Sequence, residues 1–131
     1  MRVLRNGTPT REVTYPQDEL PGTVHLGVYD AAGELVGVAS WAIESWPGRP
    51  AAAAVRLRGM AVDTTLQGGG YGAALVAAGV EWAEDRGADL VWATARDAVL
   101  GFYERCGFHV EGDGFIDEAT ALPHHTVVRE L

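Results

Sequence analysis

Cysteine, positive charge and long apolar runs are all scarce in this chain, and each scarcity closes off a class of protein. Cys106 is the single cysteine among 131 residues, so neither an internal disulfide nor a thiolate metal cluster can form, which suits a reducing compartment. Ten lysine and arginine side chains stand against 18 aspartates and glutamates, a formal net charge of −8 at pH 7. That balance supplies no basic stripe for a nucleic-acid backbone, so no nucleic-acid partner is expected, and it mildly favours a cationic or amine-bearing acceptor, small molecule or peptide. The longest apolar runs, such as residues 51–55 and 72–80, are far shorter than a membrane span, and the first residues lack the charged-then-apolar order of a secretory signal. A cytoplasmic protein without a membrane partner is the expectation.

What remains is ample for a globular domain, since 47% of the residues are hydrophobic. The length fits one domain, residues 1–131, with residues 1–22 as a polar N-terminal arm. Residues 23–29 and 35–43 read as strands joined by a hairpin loop at 30–34, and residues 55–63 as the next strand of an antiparallel meander. Beyond Gly70, Ala74, Leu75, Ala78 and Trp82 recur at helical spacing, with Gly87 as the stop. Residues 89–95 suit a buried strand. Asp97 is placed to cap a short helix over residues 98–106, ended by Gly107, and residues 108–110 and 122–131 supply the last strands across an acidic connection at 111–120.

The most informative feature is the run Gln67-Gly68-Gly69-Gly70-Tyr71-Gly72, set between a strand and a helix. Glycines let backbone approach a bulky anion, and the first N–H groups of a helix point at such an anion with the helix dipole behind them. Three phosphate-binding designs compete for it. A Walker loop fails because Gly72 is followed by Ala73-Ala74, without the lysine and hydroxyl that it needs. The dinucleotide pattern G-x-G-x-x-A fits Gly68, Gly70 and Ala73 by letter, but the preceding hairpins are antiparallel and no acid ends the next strand. The third design, Q-x-x-G-x-G, is matched by Gln67, Gly70 and Gly72.

With that loop the chain resembles the GNAT superfamily of acetyl-coenzyme A dependent N-acetyltransferases. Residues 59–63, Gly-Met-Ala-Val-Asp, look like the family's fourth strand, and the run from Ala98 through Phe102-Tyr103 to Gly107-Phe108 looks like its F-Y-x-x-x-G-F segment. The resemblance covers roughly residues 23–131. It implies an α/β fold with a mixed, mostly antiparallel twisted sheet, splayed central parallel strands, flanking helices and a shortened N-terminal strand and helix region. It implies acetyl-coenzyme A as cosubstrate, no metal, and transfer of the acetyl group to an amine by direct attack in a ternary complex. Met60, Ala61 and Val62 then pair with the pantetheine arm beside a β-bulge at Arg58-Gly59. Gln67, Gly68, Gly69, Gly70, Tyr71 and Gly72 receive the pyrophosphate, with Arg96, Phe102 and Arg105 as further cofactor contacts. Tyr103 takes the position of the general acid.

The base is not singled out by the residues. Glu44, His124, His125, Asp117 and Glu118 are candidates, with Glu44 carried forward. Adjacent histidines on a strand point to opposite faces, which argues against a metal site built on His124 and His125. Glycine at both positions 68 and 69, where the family often has basic residues, shifts phosphate binding onto backbone donors, and Arg96 replaces a frequent asparagine. Residues 1–20 read either as the end of a helix at 2–5 or as an extended arm, and a second copy of the chain, as a homodimer, is one way to complete the acceptor wall. The alternative function is a non-catalytic acyl-coenzyme A sensing module, with a dinucleotide-dependent oxidoreductase behind it.

Overall fold

The computed structural model describes residues 2–5, 12–15, 22–63, 65 and 69–131. In chain order the elements are β1 (Arg2–Arg5), β2 (Glu12–Tyr15), β3 (Thr23–Tyr29), β4 (Leu35–Ile43), β5 (Ala54–Val62), α1 (Tyr71–Asp85), β6 (Leu90–Arg96), α2 (Leu100–Arg105), β7 (His109–Ile116) and β8 (Pro123–Glu130). They form one eight-stranded sheet in the order β1-β2-β3-β4-β5-β6-β8-β7. Every neighbouring pair is antiparallel except β5 and β6, which run parallel across the α1 connection. The mixed, mostly antiparallel sheet expected from the sequence is present. Residues 2–5 are a strand paired with β2, so the reading of that segment as the end of a helix is corrected.

The alternation of β3, β4 and β5 puts Val24, Leu26, Val28, Ala39, Trp41, Val55 and Leu57 on one face, where they meet Ala74, Leu75, Val76, Ala78, Val80, Trp82 and Ala83 of α1. Full burial of side chains of this size contributes about 1.5–3 kcal/mol each. Trp41 is fully enclosed, and a Cβ on Gly79 would lie 1.9 Å from its ring, so the helix can lie on the sheet only with glycine there. α2 joins the same core through Tyr103, beside Phe108, Ala93, Ala95 and Val127. The opposite face holds a smaller cluster of Ala54, Leu90, Trp92 and Val128 with Trp46 and Ala52 against it. Both helices thus lie on one side, and among the described residues the other side of the sheet carries no helix.

Local differences from the sequence reading have simple causes. Asp97 starts a 3₁₀ turn (Asp97–Val99) rather than capping it, and no side chain caps that turn. The Asp97 carboxylate instead meets Nδ1 of His125 at 2.6 Å, a pairing across the fold that local sequence cannot reveal. β7 continues through much of the acidic connection. Its ladder with β8 is interrupted between Glu111 and Phe115, where Gly112 takes a φ of +73°, and resumes at Phe115↔His124. Cys106 closes α2 at half-buried depth, and burial pushes its thiol pKa up against the lowering influence of Arg129 and Arg105.

Candidate active site

The sheet forks at its centre. Parallel pairing of β5 with β6 covers Ala54↔Leu90, Val55↔Val91 and Arg56↔Trp92 and then stops, although β5 runs on to Val62 and β6 to Arg96. Residues 57–62 of β5 therefore have no ladder partner on the β6 side, and their peptide groups on that edge are available to another extended chain. A bulge lies at the start of this stretch. Ser40 pairs with Gly59 and Trp41 with Leu57, which leaves Arg58 as the extra residue, at the place expected.

The helix after β5 begins as the glycine run anticipates, with one change of reason. Gly70 is the N-cap with φ 84°, a left-handed conformation that favours glycine, and Ala74 N donates to Gly70 O at 3.0 Å. Among the described residues no side chain caps this end, and its first turn holds no acidic residue, so no carboxylate within the turn neutralises the positive end of the helix dipole. Gly72 serves packing: a Cβ there would stand 3.3 Å from the Phe102 ring and 3.8 Å from Met60 Cε. Met60, Gly72 and Phe102, from three separate segments, thus converge. Gln67 and Gly68 lie outside the described residues, while Gly69 and Tyr71 complete the approach to α1, Tyr71 packing against the core. Upstream, the Asp63 carboxylate accepts from Thr65 N at 2.9 Å and from Thr65 Oγ1 at 2.8 Å, and these bonds hold its pKa below the ordinary value.

Tyr103 sits beside this convergence in edge contact with Phe102 and Phe108, ring centroids 5.2 and 5.4 Å away. It is 8% exposed, and burial, with a smaller contribution from Cys106, pushes its pKa up to about 12. The phenol is therefore protonated throughout the neutral range, as a proton donor must be. Arg96, at the end of β6, and Arg105, on α2, are both exposed. Met60 and Val62 pack against the core side, while Ala61 is exposed.

The candidates for a base are dispersed. Glu44 is committed: its Oε2 accepts from Arg56 at 2.8 Å and its Oε1 from Arg58 at 2.7 Å. Both oxygens hold guanidinium groups, so Glu44 clamps two arginines. His124 is buried, stacks on Phe115 and bonds through Nδ1 to Leu122 O at 2.9 Å. His125 is tied to Asp97, as described above. Asp117 is folded into its own turn by Thr120 N and Oγ1 at 3.0 and 3.1 Å, with Glu118 exposed next to it. No cluster of three potential metal ligands exists among the described residues.

Sequence reasoning missed the polar row on the helix-free face. His25 pairs with Ser40 and Ser40 with Gly59 across three strands, and His25 Nδ1 lies 2.8 Å from Ser40 Oγ. With Thr23, Ala42 and Arg58 these residues line a shallow groove. Period-two alternation was enough to put His25 and Ser40 on the outward face, but only the cross-strand register brings them together with Gly59. Arg56 lies next to them over the Trp92 ring, 4.7 Å from its centroid, and its Nε is enclosed without a partner.

The forked parallel pair with a glycine-started helix behind it is the arrangement that the sequence resemblance implies. The chain belongs to the acetyltransferase (GNAT) family, whose family model matches residues 4–108. It is 34% identical over 128 residues to the uncharacterized N-acetyltransferase YitI of Bacillus subtilis (strain 168), covering 97% of this chain and 83% of that protein. Among solved structures it is similar to a putative streptothricin acetyltransferase from Bacillus anthracis str. Ames in complex with acetyl coenzyme A, with a TM-score of 0.72 and 17% identity over 86% of this chain and 64% of the other. An IAA acetyltransferase from Bacillus cereus ATCC 14579 aligns with a TM-score of 0.69 and 18% identity over 91% of this chain and 98% of the other. The fold and the enzyme class implied by the sequence resemblance are thereby established, and the protein is an N-acetyltransferase.

Proposed function

We propose that the protein transfers the acetyl group of acetyl-coenzyme A to an amine by direct attack within a ternary complex. The observation that carries this reading is the fork, where β5 leaves β6 after Arg56 and exposes an unpaired strand edge next to the α1 N-terminus and Tyr103. The residues fit the cosubstrate: an extended amide-bearing arm matches the free edge at Met60, Ala61 and Val62. The left-handed Gly70 and a first turn of α1 without an acidic residue suit a pyrophosphate, and Arg96 at the end of β6 and Arg105 on α2 are exposed cations. Acetyl-coenzyme A, when bound, supplies an activated thioester carbonyl. The chain's own contribution is to position that carbonyl along β5, to polarise it with strand N–H groups, and to donate the Tyr103 proton to the departing sulfur.

The acceptor proton leaves through the groove side, where His25 and Ser40 are hydrogen-bonded, rather than through Glu44. Calorimetric titration with acetyl-coenzyme A, with NAD and ATP as controls, tests the reading. Binding of acetyl-coenzyme A alone, followed by thiol release when amines are added, supports it. Absence of binding by folded protein overturns it.

A further inference from the structure

The groove on the helix-free face has a charge that runs against the rest of the chain. Among the described residues Arg56 and Arg58 share one carboxylate, Glu44, so the cluster beside the fork has one more positive than negative charge in a protein whose formal net charge is −8. Arg58 is the bulge residue and lines the groove, with a side chain 56% exposed. A guanidinium has five N–H donors, and among the described residues the partner of Arg58 is Glu44 alone, through a single nitrogen. Glu44 thus holds the head group in place while most of its donors face outward. Nothing lies within 4 Å of where a Cβ on Gly59 would be, so the floor of the groove is open at the strand whose far edge is free.

We propose that this groove seats the acceptor and that the acceptor is a small amine carrying a carboxylate, gripped by Arg58 while its amino group lies over Gly59 toward the fork. The inference rests on the acetyltransferase reading above and specifies its substrate class. A planar fork of donors fixed by an ion pair is matched by a carboxylate, which accepts two parallel N–H bonds, and not by a polycationic amine, which the unbalanced arginine repels. Ser40 Oγ, 2.8 Å from His25 Nδ1, is placed to accept the amine's hydrogen bond. The net acidity of the whole chain, taken by itself, favours a cationic acceptor, but the groove sets the local field in the opposite sense, and proximity decides which of the two an approaching ligand meets last.

The test uses the full chain, acetyl-coenzyme A, a set of free L-amino acids, their carboxamides and spermidine, with thiol release as the readout. At least one amino acid should be acetylated with a kcat/KM about tenfold or more above its carboxamide, and Arg58→Gln should bring that ratio close to one by raising KM for the acid alone. Arg58 is on the surface, so the variant folds; unchanged acetyl-coenzyme A affinity and melting temperature verify that. A preference for carboxamides or spermidine, a ratio untouched by Arg58→Gln, or turnover of no carboxylated amine overturns the inference and leaves the acetyltransferase reading standing wherever acetyl-coenzyme A binds. Failure to bind acetyl-coenzyme A removes both.

Discussion

Tyr103 is enclosed by aromatic rings on two sides, and its hydroxyl has no protein partner among the described residues. Tyr103→Phe keeps those ring contacts and removes only the hydroxyl, so turnover should fall by about 10²-fold or more while the dissociation constant for acetyl-coenzyme A stays the same. Stopped-flow thiol release beside calorimetry separates the two, and an unaltered rate would remove the donor role. The raised pKa has a second consequence. The unfolded phenol titrates near the ordinary value of 10.0 and the folded one at about 12, so between these values the native state holds more protons. Stability is then fully present below pH 10 and declines toward pH 12, by an amount on the order of 3 kcal/mol for the full shift. Melting temperatures measured from pH 9 to 11 should drop more steeply for the parent than for Tyr103→Phe.

The contact between α1 and β4 depends on a single missing methyl group. Gly79→Ala places a carbon inside the Trp41 ring position and should cost about 3 kcal/mol or more in urea unfolding, whereas Gly59→Ala, with open space at its Cβ, should stay within about 1 kcal/mol of the parent. At the fork, Glu44→Ala strips the clamp from Arg56 and Arg58 and should destabilise by about 1–2 kcal/mol. A loss of turnover of about 10²-fold without loss of stability would instead return Glu44 to the role of base. These elements also show what was legible in the sequence. Strands β3 and β4 were readable to the residue because their alternation is local, and the glycine run located the start of α1. The bulge at Arg58-Gly59 was readable because glycine inside a strand marks one. The clamp, the His125–Asp97 pair and the His25–Ser40–Gly59 row were not readable, since each depends on registers between strands far apart in the chain. The β-strand at residues 2–5 was obscured because four polar and apolar residues carry too short a period to separate strand from helix.

For the whole molecule, a chain of net charge −8 must accept a cosubstrate that is itself an anion. Long-range repulsion slows the encounter at low salt and is screened as the Debye length shrinks to about 10 Å at 0.1 M. The association rate of acetyl-coenzyme A should therefore rise as salt is raised from about 10 to about 150 mM; a fall would mean that Arg96 and Arg105 dominate the approach. All helices described lie on one side of the sheet, so under the function proposed above the two substrates enter separately, one along the α1 side and the other across the bare face. Trp92 sits where the ladder ends, its ring beneath the Arg56 guanidinium and its Nε1 donating to Glu44 O at 2.9 Å. Trp92 is thus an indole in direct contact with the charged cluster at which the proposed acceptor would arrive, and its emission should change when that acceptor binds.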